Sequence, residues 1–294
     1  MTTRIKKATA APWFIGMVGL LTSFSASASS YAVSTDSISN FSITGIPAGS
    51  FGAFTFSGDL TLSLGALPGI EAHVSSQDAA PACLGSYCAG FNNSFTSHGV
   101  SSAPGYAYAD AKIYDTNVLG GAGSASSIGE ATVYDGAAGS ASANTMHAAF
   151  SLPSAGTVNF SFNALPFMNT QLLSGGTGAT AAIGMGIAIK QAGNTVFQWT
   201  PDGTAGGIFN GTEVYDPFSL NFTMGNNLTY NPVSGLFSAS TNLSAGSYTL
   251  DIAMANSATA TSTAVVPVPA ALPLLGSGVV ALAAIARRRR TRTA

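Results

Sequence analysis

Apolar and small polar residues alternate along much of this chain. The clearest runs are Phe51 to Leu64, Thr157 to Phe162, Ala181 to Ile189, Ser219 to Met224 and Tyr248 to Met254. A period of two sends successive side chains to opposite faces, which marks half-buried strands. Turn formers separate the runs: Leu67-Pro68-Gly69, Gln191-Ala192-Gly193-Asn194, Pro201-Asp202-Gly203 and Gly225-Asn226-Asn227. Between the two ends no long stretch keeps a helical period with caps. The pattern predicts an all-β body over residues 29–262, an antiparallel β-sandwich or jelly-roll-like fold.

Two finer patterns bear on topology. Leu152-Pro153-Ser154-Ala155-Gly156-Thr157-Val158 and Leu243-Ser244-Ala245-Gly246-Ser247-Tyr248-Thr249-Leu250 share the wording of a tight turn and predict two hairpins. Ala111-Lys112-Ile113-Tyr114-Asp115 recurs as Ala131-Thr132-Val133-Tyr134-Asp135 and again as Thr212-Glu213-Val214-Tyr215-Asp216. So few copies do not make a solenoid, so duplicated strands within one sheet fit better. The small-residue stretch from Ala103 to Ala149 reads either as tightly packed strands or as partly disordered chain.

Composition alters this picture through where the charges sit. Charged residues make up 7% of the chain, against about 25% in typical soluble domains. Eight of the ten basic residues lie at the extremities: Arg4, Lys6, Lys7, Arg287, Arg288, Arg289, Arg290 and Arg292. The body keeps two basic residues, Lys112 and Lys190, against all twelve acids, a net charge of −10. A surface of that sign repels phosphate backbones, which excludes nucleic-acid binding.

The extremities read as addresses. Arg4, Lys6 and Lys7 form a positive region, Trp13 to Leu21 an apolar one, and Ala26-Ser27-Ala28 a small-residue cleavage site. That order is a secretory signal peptide over residues 1–28, cut after Ala28 or, as the runner-up, after Ala32. Signal peptidase and the Sec machinery are the implied partners. At the other end, Ala270 to Ala286 is a run of 17 residues without charge. As a helix it is roughly 25 Å long against a bilayer core of about 30 Å, and Val265 to Pro269 and the snorkelling arginines extend it. The arginines hold their end in the cytoplasm and leave the body outside.

Residues 263–294 resemble the PEP-CTERM sorting signal of Gram-negative bacteria. The resemblance rests on Val266-Pro267-Val268-Pro269, then Ala270-Ala271-Leu272-Pro273-Leu274-Leu275-Gly276-Ser277-Gly278, then the apolar helix and the cluster Arg287 to Arg290. Val268 stands where the family's naming glutamate belongs. The resemblance implies recognition by an exosortase near Val266–Ala270 and display at the cell surface or in the extracellular matrix. It also implies an association with exopolysaccharide and biofilm.

Candidate chemistry in the body is sparse. Cys83 and Cys88 enclose four residues, which in an exported chain reads as a disulfide pinning a small loop. His73, His98 and His147 are scattered and read as surface or turn histidines. No Gly-x-Ser-x-Gly elbow and no phosphate-cradling loop occurs, and most acids fall in turn contexts. We therefore read the body as a non-enzyme without a required cofactor. Asp115, Asp135, Asp202 and Asp216 are candidate Ca²⁺ ligands, with solvated turn acids the plainer alternative. The first functional reading is a surface or matrix protein that contacts polysaccharide or neighbouring copies. An alternative is a lectin-like module, which needs exposed aromatics in a row; Tyr87, Tyr106, Tyr108, Trp199 and Tyr215 are the candidates. A secreted hydrolase, the third, needs two acids brought together in a cleft.

Overall fold

The computed structural model describes residues 29–263 apart from 48, 87, 89–94, 101–104 and 174. The expected signal peptide, with Ala28, and the expected tail, with Val266 to Ala270 and Arg287 to Arg290, lie outside the described residues, as does Tyr87.

The body is all-β with antiparallel pairing throughout, as the alternation predicts. Its strands begin with β1 (Ser30–Thr44), β2 (Thr55–Leu64), β3 (Ile70–Val74), β4 (Asp78–Gly85), β5 (Gly105–Asp115) and β6 (Gly123–Val133). Next come β7 (Gly136–Leu152), β8 (Gly156–Ala164), β9 (Phe167–Leu172), β10 (Gly176–Gln191) and β11 (Asn194–Trp199). The last are β12 (Ile208–Phe209), β13 (Thr212–Tyr215), β14 (Phe222–Gly225), β15 (Thr229–Tyr230), β16 (Gly235–Leu243) and β17 (Gly246–Ser262). The first sheet runs β13-β16-β8-β1-β6-β5-β4, with β9 also on β1 and β15 on β9. The second runs β12-β11-β10-β17-β7-β2-β3, with β14 on β10.

The two sheets pack face to face through the inward residues of each alternating run. In β10 these are Ala181, Ile183, Met185, Ile187 and Ile189, all buried, while Ala182, Gly184, Gly186 and Ala188 face outward. Gly and Ala are poor strand formers, so pairing holds them: β7 and β17 are each 17 residues long and stay in one unbroken register from Gly246↔Leu152 to Ser262↔Gly136.

The core changes character along the strands. At one end it is aromatic: Phe162 stacks on Phe237 with ring centroids 5.1 Å apart, and lies 5.6 Å from Trp199 of the opposite sheet. Each fully buried ring contributes roughly 1.5–3 kcal/mol of transfer free energy. At the other end Ala32, Ala131, Ala138, Ala179, Ala258 and Ala260 meet across the gap. Small side chains let the sheets close in there. At Gly129 of β6 a Cβ would stand 3.2 Å from the Ser140 hydroxyl of β7 and 3.3 Å from the Ser257 Cα of β17.

A polar layer lies between these two ends. Ser34 Oγ is 2.6 Å from Asn256 Oδ1, the Asn256 amide donates to the Ser127 hydroxyl, and Asn144 Nδ2 donates to the Ser126 carbonyl at 2.9 Å. Asp36 belongs to the same inward face and is 1% exposed, yet its Oδ1 has no protein partner.

Two expectations are corrected, and one open alternative is decided in favour of packed strands. The two Ala-Gly turns do not close hairpins: β7 to β8 and β16 to β17 each cross from one sheet to the other. The reason is competition for edges, since β7 is already paired by β17 and β2, and β8 by β16 and β1. The stretch Ala103 to Ala149 is ordered from Gly105 onward as β5, β6 and β7. The run from Ser219 yields only the short β14, Phe222–Gly225. The related segments ending at Asp115, Asp135 and Asp216 do share one sheet, on β5, β6 and β13.

Candidate functional site

The outward face of the first sheet is partly a second, small core. Tyr31 on β1, Tyr106 and Tyr108 on β5 and Ile128 on β6 are all buried there, with Phe95 and Cys83 packed against them. Cys83 is bonded to Cys88, with Cα atoms 5.6 Å apart, as the spacing predicts. At the centre sits Glu130, 0% exposed. Its Oε1 accepts from the Tyr31 hydroxyl at 2.6 Å, from the His98 backbone N–H at 2.8 Å and from the Gly99 N–H at 3.0 Å. Its Oε2 lies 2.8 Å from His98 Nδ1. One carboxyl group thereby fastens the segment around His98 and Gly99 onto the sheet. Burial first, and then the charge of Glu130, pushes the Tyr31 and Tyr106 hydroxyls far above the ordinary tyrosine range.

The expectation that the acids sit in turns is corrected for Asp36, Asp110 and Glu130, which lie within strands and are buried. Burial pushes the Asp36 carboxyl up to about 7 and that of Asp110 up to about 6, the Tyr108 hydroxyl opposing the latter shift. The histidines divide as well. His73 and His147 are exposed and pair with Asp59 and Asp251, each at 2.5 Å. His98 also lies at the surface, between strands, but its Nδ1 is held 2.8 Å from Oε2 of the buried Glu130.

A second acidic grouping joins the two sheets. Trp199 of β11 donates its indole N–H to Glu213 Oε1 of β13 at 2.6 Å. Asp216, three residues on, accepts the backbone N–H groups of Asp202 and Gly203 at 2.9 and 2.8 Å, clamping the turn that follows β11. Glu213 Oε2 and Asp216 Oδ1 are buried without a conventional partner. Burial pushes the Asp216 carboxyl up to about 6; the two turn N–H groups oppose this and neighbouring Glu213 adds to it. This is the pair of approaching acids that the hydrolase reading requires, but both unpartnered oxygens are sealed from solvent and the other two are occupied. As placed, the pair is a clasp between strands.

The Ca²⁺ candidates are not gathered into a centre. Asp115 Oδ1 accepts the Asn117 N–H at 2.8 Å, and Asp202 Oδ1 accepts the Thr204 N–H at 2.9 Å, both local turn bonds. Among the described residues no group of three or more His, Cys, Asp or Glu side chains is placed to hold a metal ion. The aromatic row is overturned too. Tyr106, Tyr108 and Trp199 are at most 1% exposed, whereas Tyr215 is 58% exposed. Alternation tells which residues share a face but not which part of that face another segment covers.

Beside the clasp, a cleft of about 480 Å³ opens where the end of β10 and the start of β11 meet β13 and the end of β16. Its polar lining is uncharged: Gln191, Asn210, Thr212, Ser240, Asn242 and Ser244. Asn210 turns the chain there with φ of 53° and is held on two sides, its Nδ2 donating to the Val196 carbonyl at 3.2 Å and its own carbonyl accepting the Thr241 hydroxyl at 2.7 Å. Sequence reasoning missed this site because its walls come from strands distant in the chain. Compared with family models, curated proteins and solved structures, the chain matches none of them.

Proposed function

We propose that this chain is an exported protein of the cell surface or extracellular matrix, with a non-catalytic body that contacts polysaccharide. In this reading the N-terminal signal directs export and the PEP-CTERM-like tail hands the chain to an exosortase. One observation carries it: eight of the ten basic residues are confined to the two extremities, where a membrane-handling tag needs them. The body's outward faces fit such a role. A groove of about 280 Å³ on the second sheet is lined mostly by small and polar side chains, including Thr61, Ala141, Ala143, Ala182 and Ser257, with Asp59 its one charged residue. On the first sheet, Thr157 donates to Asn242 at 2.6 Å within a Ser, Thr and Asn surface. Such surfaces offer hydrogen-bond donors and acceptors to polyhydroxylated polymers.

The test is deletion of residues 263–294 in the producing cell, followed by fractionation. The reading expects the truncated body to leave the surface fraction. Unchanged surface retention would refute it.

A further inference from the structure

We propose that the uncharged cleft between β11 and β16 is a binding site for a neutral oligosaccharide segment. This rests on the reading of the body as polysaccharide-contacting, and it commits that reading to one place and one charge class.

Size and chemistry point the same way. About 480 Å³ lies within the roughly 300–1,000 Å³ of small-ligand sites. The polar lining consists of amides and hydroxyls, which donate and accept at once, as sugar hydroxyls require. Much of this capacity is unspent: among the described residues the Gln191 amide and the hydroxyls of Thr212, Ser240 and Ser244 make no hydrogen bond. A charged sugar would find no counter-ion in this lining, inside a body of net charge −10, and so would be disfavoured.

Two exposed aromatics sit on the short strands that flank the lining residues Asn210 and Thr212. Phe209 of β12, adjacent to Asn210, is 52% exposed, and Tyr215 of β13 is 58% exposed. A register shift between Glu213 and Tyr215 controls the second. Thr212 pairs with Ser240 and Tyr215 with Ser238, so the extra residue in β13 brings Tyr215 to the face that Thr212 occupies. Bulges commonly re-aim a side chain in this way. The site is also preorganised, because the bonds that fix Asn210 and the Trp199–Glu213 clasp hold its walls before any ligand arrives.

The experiment titrates ¹⁵N-labelled full-length protein with laminarihexaose, cellohexaose and maltohexaose, and with hexagalacturonate as the anionic counterpart. At least one neutral hexaose should bind and shift the amide signals of Asn210, Thr212 and Ser240. Tyr215→Ala and Gln191→Ala should each weaken that binding about tenfold, and Ser240→Trp, which fills the cleft, should abolish it. Spectra of the free variants check that each is folded. The proposal falls if no neutral hexaose binds, if hexagalacturonate binds as tightly, or if the variants bind like the parent. Surface fractionation of the same variants separates the two readings. A Tyr215→Ala chain that stays at the surface yet loses the hexaose leaves delivery intact and supports the cleft. Loss of delivery on deleting 263–294 has no bearing on hexaose binding.

Discussion

The Tyr31 hydroxyl donates to Oε1 of Glu130 across 2.6 Å, and both side chains are sealed on the outward face of a sheet that elsewhere meets solvent. A buried carboxyl is tolerated only where donors surround it. Here the donors come from β1 and from the segment at His98 and Gly99, so Glu130 couples a distant loop to the sheet.

Glu130→Ala should therefore cost about 3–5 kcal/mol, since it strands buried donors. Glu130→Gln should cost about 2 kcal/mol, because an amide offers one acceptor where two are used. Urea denaturation measures both, and proteolysis between residues 95 and 100 should accelerate in each. A Gln variant as stable as the parent would show that the carboxyl does not anchor the loop.

Stability should depend on pH through Asp36. Burial pushes its carboxyl up to about 7 in the folded state, against about 3.9 in the unfolded chain. The folded state thus holds a proton that the unfolded state releases. The associated stability is fully present below about pH 4 and is lost as pH rises to about 7, with little further change above. Asp110 and Asp216, each pushed to about 6, tilt the same way. Asp251 tilts the other way: burial raises it, but hydrogen bonds from Lys190 and His147 outweigh that. Asp36→Asn should gain on the parent as pH rises, by roughly 2–4 kcal/mol between about pH 4.5 and 7.5. Parallel urea midpoints for the two proteins across that range would exclude this origin.

The clasp makes a separate pH prediction. In Glu213→Gln the amide keeps an acceptor for Trp199 and gains a donor for Asp216, while a like charge disappears. The Asp216 titration, followed by NMR at its side-chain carbon and at the Trp199 indole N–H, should move down by about one pH unit. An unmoved midpoint would mean the two carboxyls do not interact.

The narrow end of the core should resist enlargement. Ala131→Leu, facing the opposite sheet and 0% exposed, should cost about 1–3 kcal/mol by overpacking. Ala143→Leu, on the outward face of β7, should stay within about 0.5 kcal/mol. Equal costs for the two would show that the small residues do not set the spacing there.

Much of the strand content is legible in the sequence. The runs at Thr157–Phe162, Ala181–Ile189 and Tyr248–Met254 became β8, β10 and β17, because a period of two is a local property that burial on one face preserves. The disulfide was equally local. The Leu152 and Leu243 turns are not decided locally, because an Ala-Gly corner serves a hairpin or a crossing alike, and only the identity of neighbouring strands decides between them. Glu130 left a faint trace, an acid inside an apolar strand of a charge-poor chain, but its partners lie 31 to 99 residues away.

By itself, then, the order of residues determined the all-β class, the short Cys83–Cys88 bridge and the confinement of basic charge to the extremities, each of which depends on neighbours in the chain. Tertiary structure alone decided that Tyr106, Tyr108 and Trp199 are interior, that Glu213 meets Trp199, and that an uncharged cleft opens beside them. Those outcomes depend on which strands pair and which segment covers them, and pairing is settled by the burial of whole sheets rather than by any short run of sequence.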